Sequence, residues 1–202
     1  MQIIEQIIPE QNEGWFSNTE EVVKKENPAA ATELYNLARK RLLAVSQWNL
    51  LDIKMLAEFK LADKNGDKIT RPVKNGDFFK IKAGAPSSDA GEGYDWVQVE
   101  KVDELNNEYK DEQITFIIVH PSSNPTIKTN DVAHFFTSEA SSCFVVYREK
   151  NIVTAAVYGR NEKPNTETDN LLDKARNAIV AIGAFAGFAK LQWKTLVKGL
   201  VS

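Results

Sequence analysis

Residues 165–201 read NTETDNLLDKARNAIVAIGAFAGFAKLQWKTLVKGLV, and their periodicity decides the fold. Leu171, Leu172, Ala175, Ala178, Ile179, Ile182, Phe185, Ala186, Ala189, Trp193, Leu196, Val197 and Leu200 recur at steps of three and four. That spacing gathers them into one apolar stripe and predicts a helix over 166–201, packed on a core. Thr166 or Thr168 can cap its start. Glu167, Asp169 and Asp173 suit its positive end, and Lys190, Lys194 and Lys198 its negative end. Unbroken, such a helix would span about 50 Å. From Ala178 to Ala189 every residue is apolar or glycine, so the stripe widens into a band that needs cover on two sides. One side would face a sheet. The other, near Val180, Gly183, Ala184, Gly187 and Leu191, would meet an amino-terminal helix of the same chain or a second copy across a two-fold axis. A break at Gly187 is a further alternative, since an interior glycine costs about 1 kcal/mol relative to alanine. The band falls short of the roughly 18 to 20 apolar residues that a membrane span needs.

Upstream, Ile3, Ile4, Ile7 and Ile8 share a helical face, but Pro9 stops any helix there. Ser17 and Glu20 make a capping box, which predicts a short helix to about Glu26. Asn27 then caps a second helix with Pro28 in its first turn. Leu34, Leu37, Ala38, Leu42, Val45 and Trp48 line one face of it. This second helix, within a helical part over 17–50, is the natural partner of the carboxy-terminal helix.

After Asn49 the period changes to two. Ile53, Met55, Ala57, Phe59 and Leu61 alternate with Lys54, Glu58 and Lys60, predicting a half-buried strand. Asn65-Gly66 marks a tight turn, from which Ile69–Val73 could return. Further strands are predicted at Phe79–Ala83, Trp96–Val102, Ile114–His120, His134–Glu139, Cys143–Glu149 and Ile152–Gly159. The run Ile114–His120 is apolar on both faces, which places it centrally. Lys150 and Asn151 turn the last hairpin. Short turns between strands imply antiparallel pairing.

The expectation is one α+β domain over 1–202, with an antiparallel sheet of seven or eight strands over 53–159 packed on the long carboxy-terminal helix. A small amino-terminal β-barrel over about 53–105, joined to a separate α+β half, is the alternative. The element order is similar to that of helix-grip proteins. The resemblance implies a sheet wrapped round a carboxy-terminal helix, often with an apolar cavity between them.

Composition narrows function. The chain has 202 residues, 43% of them hydrophobic, enough for one substantial core. A net charge of −3 argues against nucleic-acid binding and against a polybasic membrane anchor. Cys143, the single cysteine, excludes an internal disulfide and a cysteine-based metal site. Met1–Gly14 carries Glu5, Glu10 and Glu13 and no sustained apolar run, unlike a signal peptide. A soluble cytoplasmic protein without a cofactor is expected.

Asp63, Asn65 and Asp67 place oxygens at alternate positions, as a calcium loop does, but Lys68 and Lys74 stand where its glycine and glutamate belong. The stretch reads as a turn. Gly91, Gly93 and their neighbours lie among acids that would repel phosphate, so Gly84–Asp95 is a loop, with Tyr94 and Trp96 as ligand contacts if it closes over a pocket. His120 and His134 with Glu139 are the residue types of a two-histidine, one-carboxylate site, although each histidine also suits a hydrogen-bonded boundary position. Cys143 would need a base such as His134 to act as a nucleophile; buried cysteine otherwise packs inertly. Arg148, Arg160, Asn161, Glu162 and Asn165 could hold a carboxylate or phosphate, or tie loop to helix.

Two function classes follow, with no catalytic or metal-binding residue assigned in either. One is a non-enzymatic protein that binds a small apolar molecule between sheet and helix, through Tyr94, Trp96, His120, His134, Phe136, Tyr147, Arg148, Arg160, Asn161 and Trp193. The other is an interaction or scaffold protein that forms a homodimer through the final helix. An enzyme using His120, His134 and Glu139 is a third reading.

Overall fold

The computed structural model describes residues 2–51, 55–82, 89–128, 130–165 and 187–202. Seven strands form one antiparallel sheet: β1 (Trp15–Lys24), β2 (Glu58–Ala62), β3 (Phe78–Lys82), β4 (Asp95–Asn107), β5 (Glu112–Pro121), β6 (Ser141–Glu149) and β7 (Ile152–Glu162). Their order across the sheet is β1-β7-β6-β5-β4-β3-β2. Helices α1 (Gln2–Glu5) and α2 (Pro28–Leu43), a 3₁₀ turn (Val45–Leu50) and the helical run 187–200, here α3, complete the described elements. The fold is α+β, an antiparallel sheet packed on a carboxy-terminal helix. Because β2, β3 and β4 pair in the same sheet as β5 to β7, the separate amino-terminal barrel does not form.

Strand β5 is the fourth of the seven and is covered on both faces, as its unbroken apolar run requires. Ile117 and Val119 face α2 and α3 together with Phe144, Val146, Val153, Ala155 and Val157. Ile114, Phe116 and Ile118 face the other way, packing with Cys143, Val145, Ala156, Tyr158 and Ile4 of α1.

On the helix-bearing face Trp48 is the hub. Its ring centroid lies 5.3 Å from Phe59, 5.7 Å from Phe79 and 5.3 Å from Phe144. Its indole N–H donates to the Arg41 and Leu42 carbonyls, so the polar edge of the ring is satisfied in the core. Helix α2 starts as the sequence predicts: Asn27 Oδ1 accepts the Ala30 N–H at 2.9 Å, with Pro28 in the first turn. Tyr35 and Thr115 bond hydroxyl to hydroxyl at 2.7 Å, fixing α2 over the sheet. Leu196, Val197 and Leu200 of α3 complete this core, in keeping with the helix-grip resemblance.

Four expectations are corrected. The helix expected from Ser17 is strand β1. Its nine registered pairs with β7 outweigh a local capping signal, and Trp15, Phe16, Thr19, Val22 and Val23 favour a strand. The sheet therefore begins at Trp15, not near residue 53. The strand expected at His134–Glu139 is a strap with a single bridge, Phe136 to Pro164, because the His134 ring takes the Phe136 N–H for itself. The return expected at Ile69–Val73 reduces to one bridge, Ala62 to Lys68, with Pro72 unable to donate to a ladder. The Asn65-Gly66 turn does form, with Gly66 at φ 81° and Asp63 Oδ1 accepting the Asn65 and Asp67 N–H groups. The strand start at Ile53, the loop over 83–88, and the helix before residue 187 with its Gly183 face lie outside the described residues.

Candidate functional site

A cavity of about 520 Å³ lies where β1, β6 and β7 meet the first described turns of α3 and the 134–136 strap. Strand register explains its polar side. In β1, Ser17 and Thr19 pair with Gly159 and Val157, and Val157 belongs to the core on the helix-bearing face. Alternation then turns both hydroxyls toward that face. Ser142, opposite Gly159 in β6, joins them.

Glu162 adds a carboxyl at the end of β7. Its side chain folds back over Gly159, and Oε1 accepts a hydrogen bond from Ser17 Oγ at 3.0 Å. A Cβ on Gly159 would fall on that carboxylate oxygen and against Ser17 Oγ, so the glycine makes the room. Asn161, just before, takes a left-handed φ of 54°, which redirects the chain as the strand ends. Burial pushes the Glu162 carboxyl above its usual range, opposed by the Ser17 hydrogen bond and the Arg160 charge.

His134 brings an imidazole to the same cavity. Burial lowers its pKa to about 4, so the ring is neutral near pH 7. The Phe136 N–H donates to Nδ1 at 2.9 Å, which leaves Nε2 to carry the proton.

The apolar side comes from Trp15, Phe16, Phe136, Ala189 and Trp193. Trp193 is held by Phe144 at 5.3 Å and Phe59 at 6.0 Å. Its neighbours lock the helix in place. Gln192, buried, accepts the Leu56 and Ala57 N–H groups at 2.6 and 2.9 Å, and Lys194 bonds the Glu20 carbonyl and pairs with Glu21. Chemically, the site can hold an apolar body between rings and receive one polar head at Glu162, Ser17 and Thr19.

Of the residues singled out in the sequence as ligand contacts or polar candidates, His134, Phe136, Glu162 and Trp193 line this cavity, and the others lie elsewhere. Trp96 packs with Ala62, Phe78 and Ala133, and Lys80 Nζ sits 4.1 Å from the Tyr94 ring centre. Tyr147 packs on the outer face. Arg148, at the far end of β6, is buried and tied to Gln113, Asp111 and the Lys150 carbonyl. Arg160 donates to the Ser17 and Gly159 carbonyls and to Asn18. Asn161 staples the amino-terminal arm, accepting from the Asn12 and Glu13 N–H groups and donating to the Glu10 carbonyl. These arginines and this asparagine act as ties.

The histidine pair does not gather. His120 bonds the Ala140 carbonyl at 2.9 Å and Glu100 at 2.6 Å, whereas Glu139 bonds its neighbour Ser138. Among the described residues no group of three or more His, Cys, Asp or Glu side chains is placed to hold a metal. Cys143 lies in the outer-face cluster, where burial pushes its thiol up to about 12, and it does not line the cavity that holds His134. Sequence reasoning missed Trp15, Ser17, Thr19 and Ser142 as site residues. The alternation of Trp15, Ser17 and Thr19 was the available signal, masked by the capping box.

Fold and site together define an α+β protein with a partly polar cavity between an antiparallel sheet and its carboxy-terminal helix. No protein-family model matches the sequence, and no curated protein matches it. Among solved structures the chain is similar to a hypothetical protein from Helicobacter pylori, at 12% identity and a TM-score of 0.49, covering 93% of this chain and 86% of that one. It is also similar to Ara h 8.0201, at 12% identity and a TM-score of 0.33, covering 93% and 96%. A protein from Thermus thermophilus matches at 12% identity and a TM-score of 0.40, covering 92% and 94%. At these values the likenesses establish neither a shared family nor a shared ligand. Among the described residues, no helix is long and apolar enough to cross a membrane.

Proposed function

We propose that the protein binds a small, mainly apolar molecule in the cavity between β1, the 134–136 strap and α3, without transforming it. The observation that carries this reading is one space of about 520 Å³ in which aromatic walls meet a few convergent polar groups. Sites for small molecules have this character: concave, largely apolar, and several hundred Å³ in volume, with few polar groups to set orientation. Ser17, Thr19, Ser142 and Glu162 sit on strands, and Trp193 on a helix locked by Gln192, so these groups are held in place before a ligand arrives.

Titration with N-phenyl-1-naphthylamine, a neutral apolar fluorophore, tests it. Saturable, blue-shifted emission at one site per chain is expected. Ser142→Phe, which fills the cavity from β6, should abolish that binding while leaving the far-ultraviolet circular dichroism unchanged. Absence of saturable binding to the wild type, or equal binding to a folded Ser142→Phe variant, would refute it.

A further inference from the structure

The geometry points to a more specific ligand: an apolar molecule carrying a protonated amine, its cation seated between the Glu162 carboxylate and the rings of Trp15, Phe136 and Trp193. This rests on the reading of the cavity as a ligand site and adds the charge of the ligand's head.

Three observations converge. First, the Glu162 carboxyl is held against the cavity face by Ser17 and by the space above Gly159. Second, it is half-buried without an ion-pair partner among the described residues; Arg160, whose charge acts on it without direct contact, bonds through Nη1 to the Ser17 and Gly159 carbonyls and to Asn18. A half-buried acid in that position gains from a cation that replaces the hydration it has lost. Third, the apolar walls are mainly aromatic, and ring faces attract ammonium groups even at partly exposed sites such as that of Trp15. An anionic head would instead meet the carboxylate directly.

Two other groups bear on the choice. His134 is neutral near pH 7, so it does not repel a cation, and its Nδ1 is engaged by Phe136. Lys190 lines the same cavity from an exposed position on α3, and among the described residues it forms no ion pair with Glu162.

The test uses three probes with one apolar body: 1-naphthylmethylamine, 1-naphthalenemethanol and 1-naphthoate, each titrated by calorimetry at pH 7. The amine is expected to bind roughly tenfold tighter than the alcohol, and the naphthoate most weakly. Glu162→Gln keeps the shape and the Ser17 contact but removes the charge. It should bring the amine to the level of the alcohol and leave the alcohol within about twofold of the wild type. Gly159→Ala, which displaces the carboxylate, should act in the same direction. If alcohol and amine bind equally to the wild type, or if Glu162→Gln weakens both alike, the amine inference is overturned while the cavity reading stands. If none of the three binds, both fall.

Discussion

The two ends of the helix-bearing face differ in what fills them. Around Trp48, the rings of Phe59, Phe79 and Phe144 interlock at 5.3 to 5.7 Å, and each of these side chains is buried. At the β1 end the same sheet face presents Ser17, Thr19 and Ser142, and the space beside them stays open at about 520 Å³. Both ends share β6 and β7, so strand geometry is not the cause. The difference lies in side-chain choice at equivalent inward positions: Phe144 and Val146 along β6 at one end, Ser142 at the other. Hydroxyls tolerate an unfilled space because a polar guest or water can satisfy them, whereas a gap among rings simply loses contacts. One end holds the fold together and the other is available for recognition. Trp193 touches both.

That contrast can be broken most forcefully at Trp48. Trp48→Ala should cost about 3–5 kcal/mol in urea denaturation, because it empties the filled end and orphans the contacts of three rings. A loss below about 1 kcal/mol would mean that this end is not the structural one. Trp193→Ala should weaken the binding of a neutral apolar probe roughly tenfold, since the ring lines the cavity. Unchanged affinity would detach Trp193 from the site.

The pH dependence separates two desolvated groups of opposite sign. His134 has a folded pKa of about 4 against about 6.5 when unfolded, so the unfolded chain binds the extra proton in between. Its burial therefore removes stability as pH falls from about 6.5 to about 4. Asp95, desolvated with a pKa of about 7, does the reverse: the native state keeps a proton that the unfolded chain has released, and stability falls as pH rises from about 4 to about 7. In thermal melts between pH 4 and 7, His134→Gln should lose the first slope and Asp95→Asn the second. Parallel profiles for wild type and variant would contradict either assignment. The smallest effect is expected at the open end. Thr19→Val should change stability by less than about 1 kcal/mol, because its hydroxyl faces the cavity and not a packed layer. A large loss would show that the hydroxyl is structural.

Much of this architecture could be read from residue pattern alone. The double-sided apolar run of β5, the Asn27-Pro28 helix start, the Lys150-Asn151 hairpin and the packing of Leu196, Val197 and Leu200 all follow from local periodicity and turn chemistry. Strand β1 did not, because its stabilisation comes from β7, more than a hundred residues away, while its local signal favours a helix start. The site suffered from the same gap. Trp193 is conspicuous as a large ring on an apolar stripe, and His134 and Phe136 as unusual residues beside a loop. Thr19 and Ser142 become site residues only once the register with β7 is known. Arg148, Arg160 and Asn161 stood out by charge and polarity, but only three-dimensional pairing reveals that their donors already serve backbone carbonyls and neighbouring side chains. Chemistry-bearing residue types are legible in a sequence; their satisfaction is not.

The four tryptophans divide evenly between the two kinds of environment: Trp15 and Trp193 at the cavity, Trp48 and Trp96 in packed clusters. An NMR titration of the four indole N–H signals with 1-naphthalenemethanol therefore tests the central claim most directly. The Trp15 and Trp193 signals should move together and saturate, while those of Trp48 and Trp96 stay in place. Four static signals, or movement confined to Trp48 or Trp96, would contradict it.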